Sequence, residues 1–216
     1  MDADEVLSPQ AFQHETGVSR ETMDRLEAYV GLLGRWNRRI NLVGRGSLAD
    51  LWRRHILDSA QLMPLLPPAP AERPRVLLDL GSGAGLPGLV LAILGAGEVH
   101  LVESDKRKAA FLREAARVAE AAGVTVHDAR IEAVKSFRAD VVTARALAPL
   151  TRLLALAEPF LEADSRCIFL KGAQAESELE AAQKDWKISV ESHRSCTYPS
   201  GNILVIGVNG RATTTS

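Results

Sequence analysis

The chain has 216 residues, of which 46% are hydrophobic and 25% are charged, and its formal net charge at pH 7 is −1. This length and composition fit one α/β domain with an extension, and they exclude a nucleic-acid-binding protein whose basic charge is spread over the whole chain. The two cysteines, Cys167 and Cys196, support neither a disulfide framework nor a thiolate metal cluster. The acidic start has no apolar segment behind it, which argues against a signal peptide. Glycines and a proline interrupt the uncharged segment 80–97, which argues against a membrane span. We therefore predict a cytoplasmic protein, and we predict no metal site.

The N-terminal part is predicted to be helical. Apolar residues recur at helical spacing after Ser19, which we predict to be an N-cap. Ser47 and Asp50 resemble a capping box that opens a second helix ending near Met63. We therefore predict an N-terminal helical extension over residues 1–63.

Five of the ten prolines lie within residues 64–74, a density that excludes both helix and strand, so this segment is predicted to be a linker. Strand and helix patterns then alternate, which indicates a doubly wound α/β sheet. We predict strands near 75–80, 98–103, 124–128, 139–144 and 166–171, helices near 87–95, 105–122 and 149–162, and a closing antiparallel pair at 186–196 and 202–208. The α/β domain is predicted to span 75–209, and the polar segment 210–216 is predicted to be disordered.

The most informative segment follows the first predicted strand. An apolar run ends in Asp79, and glycines then occupy every second position from Gly81 to Gly85. Glycines there let the backbone turn sharply and approach a ligand closely. A second apolar run ends at Glu103, a carboxylate placed to hold the hydroxyls of a ribose. The pattern predicts a nucleoside site at the carboxyl edge of a parallel sheet.

Two ligands compete for this site. Residues 83–88 fit the G-x-G-x-x-G fingerprint of an NAD-type dinucleotide-dependent oxidoreductase. Asp79 would repel a pyrophosphate, whereas the sulfonium and ammonium groups of S-adenosylmethionine tolerate a nearby carboxylate, so we favour S-adenosylmethionine. The oxidoreductase, a non-catalytic RNA-binding protein with the same fold and a small-molecule methyltransferase stay open as alternatives.

Basic residues cluster between positions 35 and 54, where the chain carries a single acid, Asp50. The arginines are Arg35, Arg38, Arg39, Arg45, Arg53 and Arg54. Trp36 and Trp52 lie among them and would suit base stacking, but their apolar spacing favours the core. The arginines form either a phosphate-binding surface or a solvated face.

His55, Asp58 and Ser59 share one face of the second predicted helix. Residues of a catalytic triad normally come from separate elements, so we do not interpret these three as a triad. They form either a polar network that joins the N-terminal helices to the α/β domain or a wall of an RNA cleft.

Residues 79–88 closely resemble the cofactor loop of the bacterial glucose-inhibited division protein B family, the guanine-N7 methyltransferases of small-subunit ribosomal RNA. Further matches follow in the family order over about residues 20–172, at 40–42, 55–59, 106–107, 111–112, 144–146 and 171–172. The resemblance implies a Rossmann-like class I S-adenosylmethionine-dependent methyltransferase with a central seven-stranded, mostly parallel sheet. It implies an enzyme that methylates N7 of guanine 527 in 16S ribosomal RNA, either as free RNA or in the assembling small subunit. The sequence contains no exposed heptad or long apolar face that demands a partner, so we predict a monomer.

The resemblance also implies roles for individual residues. The residues expected to bind S-adenosylmethionine are Gly81, Gly83, Leu86, Glu103, Ile131, Glu132 and Arg145. The resemblance directs Asn41 and His55 towards the RNA base. Lys171, at the end of a predicted central strand, is placed to bind phosphate, and Arg54 and Arg130 are the other residues expected to contact RNA. Asp79 and Arg145 are the candidate catalytic residues. N7 of guanine already carries a free lone pair, so the reaction needs alignment and no strong general base.

Overall fold

The computed structural model describes residues 6–212, and its centre is a seven-stranded sheet. The strands are β1 (Val76–Leu80), β2 (Glu98–Glu103), β3 (Val124–Asp128), β4 (Val141–Arg145), β5 (Arg166–Lys171), β6 (Trp186–Arg194) and β7 (Asn202–Arg211). Their order is β3-β2-β1-β4-β5-β7-β6. Strands β1 to β5 are parallel, and β7 runs antiparallel to both of its neighbours. The predicted doubly wound, mostly parallel seven-stranded sheet is confirmed.

The helices are α1 (Pro9–Thr16), α2 (Arg20–Asn37), α3 (Asp58–Ala60), α4 (Gly88–Ile93), α5 (Lys106–Val118), α6 (Leu150–Ala157) and α7 (Ala175–Asp185). A π-helical segment, Trp52–Leu57, runs directly into α3. Short 3₁₀ turns lie at Arg45–Ser47, Met63–Leu65, Ile131–Ala133 and Glu158–Phe160. None of the helices in the described part of the chain is long and apolar enough to cross a membrane.

Side chains of the central strands alternate between two hydrophobic clusters, one on each face of the sheet. In β1, Leu77 belongs to the first cluster and Leu78 to the second. The first cluster contains α2, α4 and α5, and the second contains α6 and α7. Both faces are covered, as a parallel sheet requires, and the carboxyl ends of the strands remain available for a ligand.

The N-terminal helices pack directly on the first cluster. Leu26 and Leu33 of α2 are fully buried. The ring of Phe111 in α5 lies 6.4 Å from that of Tyr29 and 5.6 Å from that of Trp36, measured between centroids. The N-terminal segment and the sheet thus share one core, so α2 is held firmly enough to position side chains at the carboxyl edge.

The predicted start of the second N-terminal helix was wrong. The hydroxyl of Ser47 donates a hydrogen bond to the carbonyl of Gly44 at 2.7 Å, and Asp50 accepts one from the N–H of Leu7 at 3.2 Å. Neither side chain caps a helix, because a local turn occupies the Ser47 hydroxyl and a contact with the distant Leu7 occupies Asp50. The regular helical hydrogen bonding begins later, with the π-helical segment.

Helix α7 was not predicted, and α1 was predicted only as an unspecified part of the N-terminal helical extension. The hydroxyl of Ser8 accepts a hydrogen bond from the N–H of Ala11 at the start of α1, directly before a proline at the first helical position. Helix α7 buries only Ala175 and Ala182, so its apolar periodicity is too weak to recognise in the sequence.

The predicted limits of the linker and the tail also differ. The predicted linker begins inside the 3₁₀ turn Met63–Leu65, where the first turn tolerates a proline. Strand β7 extends to Arg211, whose guanidinium lies 3.7 Å over the ring of Trp186, so residues 210–211 are strand and not a disordered tail. Residues 213–216, like residues 1–5 of the predicted extension, lie outside the described part of the chain.

Candidate active site

The turn after β1 brings bare backbone to the carboxyl edge of the sheet. Gly81 and Gly83 have φ angles of 65° and 57°, in the left-handed region that favours glycine. A Cβ atom added to Gly83 would meet only the carbonyl of Gly81, at 3.8 Å, so a side chain there would enter open space. That space is a cavity of about 420 Å³, a size typical of small-molecule sites.

The carboxylate of Glu103, at the end of β2, forms one wall of this cavity. Its Oε2 accepts a hydrogen bond from the N–H of Gly83 at 2.9 Å, and its Oε1 accepts one from the N–H of Asp105 at 2.8 Å. Each carboxylate oxygen can accept a further hydrogen bond. Glu103 is 9% exposed, so the structure holds an oriented carboxylate beside a glycine turn. This arrangement fits the ribose of a nucleoside.

The structure brings most of the expected cofactor residues together. The cavity is lined by Gly81, Gly83, Glu103, Ile131 and Glu132, and also by Arg130, which was expected to contact RNA. We call it the cofactor cavity. Leu86, whose backbone was expected to contact the donor, is not among the lining residues, and its side chain is buried in the first hydrophobic cluster.

A second cavity of about 400 Å³ adjoins the cofactor cavity. Ala146 lines both cavities, with a φ of 52° that is unusual for a residue other than glycine. Arg54, His55 and Arg145 line the second cavity. Arg145 was expected to bind the cofactor, but its guanidinium reaches the second cavity instead. We call it the cationic cavity.

Arg145 joins the end of β4 to the N-terminal helical segment. Its Nη1 donates to Asp58 Oδ2 at 3.1 Å and to the carbonyl of Arg54 at 3.2 Å. Its Nη2 donates to His55 Nδ1, also at 3.1 Å. One guanidinium thus fixes three groups of the helical segment at the junction of the two cavities.

His55 is neutral in this network. The hydroxyl of Ser47 donates to Gly44 and therefore accepts from His55 Nε2 at 2.7 Å, while His55 Nδ1 accepts from Arg145. Burial, together with the smaller effects of the charges of Arg145 and Arg54, lowers the pKa of His55 to about 4. Because the unfolded chain binds this proton more tightly, the stabilising contribution of His55 is present above pH 6.5 and is lost as the pH falls towards 4.

The same network reaches the loop between β6 and β7. Asp58 Oδ1 accepts from Thr197 Oγ1 at 2.6 Å and from Gln61 Nε2 at 2.9 Å. The N–H of Cys196 donates to Gln61 Oε1 at 2.9 Å. The polar network that joins the helical segment to the α/β domain is therefore present, and it includes His55 and Asp58. The Ser59 hydroxyl donates within the helix, to the carbonyl of His55.

Helix α2 contacts the glycine turn through the side chain of Tyr29. The buried hydroxyl of Tyr29 donates to the carbonyl of Ala84 at 2.7 Å. Burial raises the pKa of this phenol above its usual range, so it stays a donor at all physiological pH values. Tyr29 was missed in the sequence because its spacing indicates only an apolar helix face.

Asp79 does not face either cavity, contrary to its expected catalytic position. Its side chain is fully buried, its Oδ1 accepts from Thr143 Oγ1 at 2.8 Å, and a Cβ added to Gly88 would lie 2.6 Å from its Cβ. Burial raises its pKa to about 6, opposed by the Thr143 and Ser82 hydroxyls and the Gly88 N–H. The carboxyl group thus packs against Thr143 and Gly88 on the buried side of the glycine turn, and it helps to position that turn.

Two other expected residues, Lys171 and Asn41, lie in less accessible or more distant places. Lys171 lines the cationic cavity, but its Nζ lies 2.6 Å from Glu178 and donates to the carbonyl of Ala148. An RNA phosphate would have to compete with that buried ion pair. Asn41 is exposed and lines neither cavity. Glu132 does line the cofactor cavity, but its carboxylate forms an exposed ion pair with Arg152 there.

Part of the arginine cluster forms a groove beside the cofactor cavity. The groove is lined by Arg35, Trp36, Arg38, Arg39, Ile40, Arg107 and Ala110, and we call it the arginine groove. Arg107 lines the groove while its neighbour Lys108 lines the cofactor cavity. Among the described residues, Arg35, Arg38 and Arg39 form no ion pair. Trp52 is buried beside Phe12, as its apolar spacing predicted, and is no stacking surface.

Comparison with known proteins agrees with this geometry. A family model described as rRNA small subunit methyltransferase G matches residues 22–203. The chain is 56% identical over 206 residues to the ribosomal RNA small subunit methyltransferase G of Rhodospirillum rubrum, covering 95% of this chain and 100% of that protein.

Solved structures with low sequence identity share the fold. Ribosomal protein L11 methylase from Lactobacillus delbrueckii subsp. bulgaricus superposes with a TM-score of 0.55 at 18% identity, covering 77% of this chain and 80% of the other. A mutant of MtNAS in complex with S-adenosylmethionine gives a TM-score of 0.55 at 12% identity, covering 95% and 86%. The fold is that of the class I S-adenosylmethionine-dependent methyltransferases, and the chain belongs to the rRNA small subunit methyltransferase G (GidB) family.

Proposed function

We propose that this protein transfers the methyl group of S-adenosylmethionine to N7 of guanine 527 in 16S ribosomal RNA. Family membership supports a methyltransferase that acts on small-subunit ribosomal RNA. The observation that carries the proposal is the junction at Ala146, where a nucleoside-sized cavity walled by Glu103 meets a cavity rich in cationic side chains. One cavity can hold a methyl donor while the other receives an RNA base.

The residues present fit S-adenosylmethionine. Glu103 would accept hydrogen bonds from the ribose hydroxyls, Ile131 would contact the adenine, and the bare backbone at Gly83 would leave room for the donor. When bound, S-adenosylmethionine supplies an electrophilic methyl group: as the N7 lone pair bonds to the methyl carbon, the carbon–sulfur bond breaks, its electron pair stays on sulfur and the positive charge passes to the base.

The chain's own contribution to this reaction is positioning. N7 carries no proton, so no side chain has to remove one. The described residues hold the two cavities in fixed relation through Arg145, and they hold the glycine turn through Tyr29 and Asp79. Alignment of reacting groups can account for several kcal/mol of a barrier, about 7–11 in favourable cases. Arg145 and Asp79 are thus positioning residues in this proposal.

The arginine groove is proposed to bind the ribosomal RNA backbone. Arg35→Gln combined with Arg39→Gln should weaken binding of 16S ribosomal RNA, because two guanidinium groups no longer neutralise phosphates. The slope of log K against log salt should become shallower by about 0.7–0.9 for each phosphate that the protein ceases to neutralise. Filter binding over a range of salt concentrations measures the slope.

The matched control for this pair is Arg113→Gln combined with Arg117→Gln, which changes the net charge equally. Arg113 and Arg117 lie on the exposed face of α5 and pair with Asp128 and Glu114. An equal change of slope in both double variants would show that overall charge, and not the groove, governs RNA binding.

The proposed activity is tested by methyl transfer from tritiated S-adenosylmethionine to 16S ribosomal RNA and to small subunits from cells that lack this protein. We expect one methyl group per RNA, located at N7 of guanine 527 by cleavage at N7-methylguanine. Incorporation elsewhere, or at a base nitrogen other than N7, would contradict the proposal. A comparison of the rates on free RNA and on subunits identifies which of the two is the substrate.

We also propose that the enzyme acts as a monomer in the cytoplasm.

A further inference from the structure

The proposed function leaves one exposed aromatic residue without a role. In the described part of the chain four large hydrophobic residues are exposed: Val6, Leu48, Leu147 and Tyr198. Tyr198, in the loop between β6 and β7, is 52% exposed and lines the cationic cavity together with Arg54 and Arg145. A half-exposed tyrosine at the mouth of a cavity makes little contribution to the core.

Hydrogen bonds fix the loop that carries Tyr198, so the exposure of this side chain does not result from a flexible loop. On one side, Thr197 donates to Asp58 at 2.6 Å, and the N–H of Cys196 donates to Gln61 at 2.9 Å. On the other side, the N–H of Gly201 donates to the carbonyl of Tyr198 at 2.8 Å. The backbone is fixed on both sides of the ring.

Gly201 has no room for a side chain in this loop. An added Cβ would lie 2.8 Å from the Cβ of Ser195 and 3.1 Å from the Cβ of Tyr198. The turn is therefore closed directly against Tyr198, whose side chain stays exposed at the cavity wall. An exposed aromatic side chain on a rigid backbone is suited to binding a flat ligand.

We propose that Tyr198 is the surface on which the target guanine stacks when it leaves the RNA and enters the cationic cavity. This inference rests on the proposed function. Enzymes that modify a base take it out of its stack and commonly hold it against aromatic side chains. The methylated guanine also gains a positive charge as the carbon–sulfur bond breaks. The negative face of the tyrosine ring attracts that charge, so stacking favours the methylated base over the unmethylated one.

Three substitutions separate stacking from other roles. Tyr198→Phe keeps the ring, Tyr198→Leu keeps apolar cover without a ring, and Tyr198→Ala removes both. With 16S ribosomal RNA or small subunits as substrate, kcat/KM should fall about fivefold to a hundredfold in the Leu and Ala variants. The Phe variant should stay within threefold of the unmodified protein. Binding of S-adenosylhomocysteine, measured by calorimetry, and the melting temperature should not change in any variant.

A second measurement reports on the charge of the base. The unmodified protein should bind 7-methylguanosine monophosphate severalfold more tightly than guanosine monophosphate in the presence of S-adenosylhomocysteine, and Tyr198→Ala should abolish the difference. The inference is overturned if Tyr198→Ala keeps kcat/KM within twofold, or if the Leu variant matches the Phe variant. An unmodified protein that methylates no ribosomal RNA would instead overturn the proposed function, and the inference with it.

Discussion

Replacing Glu103 with glutamine should abolish most of the affinity for S-adenosylmethionine and S-adenosylhomocysteine. Both carboxylate oxygens already accept backbone N–H groups, from Gly83 and Asp105. In the glutamine variant an amide NH₂ would face one of these N–H donors, and this repulsion would displace the backbone of the glycine turn or of Asp105. The ribose hydroxyls would also lose a charged acceptor. Hydrogen bonds to charged groups contribute about 1.5–3 kcal/mol, so we expect the dissociation constant to rise roughly tenfold to a hundredfold. Isothermal calorimetry measures it.

The matched control is Glu98→Gln in the same strand. Glu98 lies at the opposite end of β2, is exposed and pairs with His100 at 3.1 Å, far from the glycine turn. The affinity of this variant for S-adenosylhomocysteine should equal that of the unmodified protein. An unchanged dissociation constant in Glu103→Gln would mean that the ribose does not bind at the end of β2.

Replacing Arg145 with methionine should reduce both methyl transfer and stability. The substitution leaves Asp58 without its ion pair, and His55 Nδ1 and the carbonyl of Arg54 without their donor. Loss of hydrogen bonds to a charged group costs about 1.5–3 kcal/mol. If the alignment of the two cavities depends on Arg145, the same loss lowers kcat/KM about tenfold to a hundredfold. The rate on 16S ribosomal RNA and the melting temperature are the measurements.

A spectroscopic readout distinguishes this role from general destabilisation. The charge of Arg145 is the second-largest cause that lowers the pKa of His55, so Arg145→Met should raise that pKa from about 4 and leave it below 6.5, because burial remains. An NMR titration of the His55 ring measures the change. Arg145→Lys keeps the charge without the planar fork, so it should keep the low pKa and still lose activity. Full activity in the lysine variant would contradict the positioning role.

The sequence contains local signals for the sheet and for the cofactor cavity. The apolar runs that end in Asp79 and Glu103 predict parallel strands, and the strand order places both ends at the same edge. The glycines between them predict bare backbone. These features are readable because each depends on neighbouring residues. The family resemblance added Ile131 and Glu132, which the structure places at the same cavity.

Contacts between distant segments could not be predicted. Tyr29 meets Ala84 across 55 positions, and Thr197 meets Asp58 across 139. Hydrophobic periodicity identifies neither pair, because a tyrosine on an apolar helix face and a threonine in a loop carry no sign of their partners. For Lys171 an unrecognised contact led to an incorrect expectation. Its place at a strand end indicates a phosphate ligand, but its ammonium group forms an ion pair with Glu178 of the unpredicted helix α7.

Asp79 shows that a sequence pattern can indicate a ligand class without giving the position of a side chain. An acid at the end of a buried strand is compatible with a cationic ligand, and this favoured S-adenosylmethionine over a dinucleotide. In the structure the carboxyl lies under the turn, against Thr143 and Gly88, and is fully buried. Burial depends on how tightly α4 packs on β1, which the sequence does not reveal.

The most direct test of the central claim is a crystal structure of the protein with S-adenosylhomocysteine bound. We expect the ribose hydroxyls within hydrogen-bond distance, about 2.5–3.0 Å, of the Glu103 carboxylate, with the adenine at Ile131 and the sulfur directed towards Ala146. A ligand bound in the cationic cavity, or an NAD pyrophosphate bound at the glycine turn in a parallel experiment, would contradict a methyl-donor site at the ends of β1 and β2.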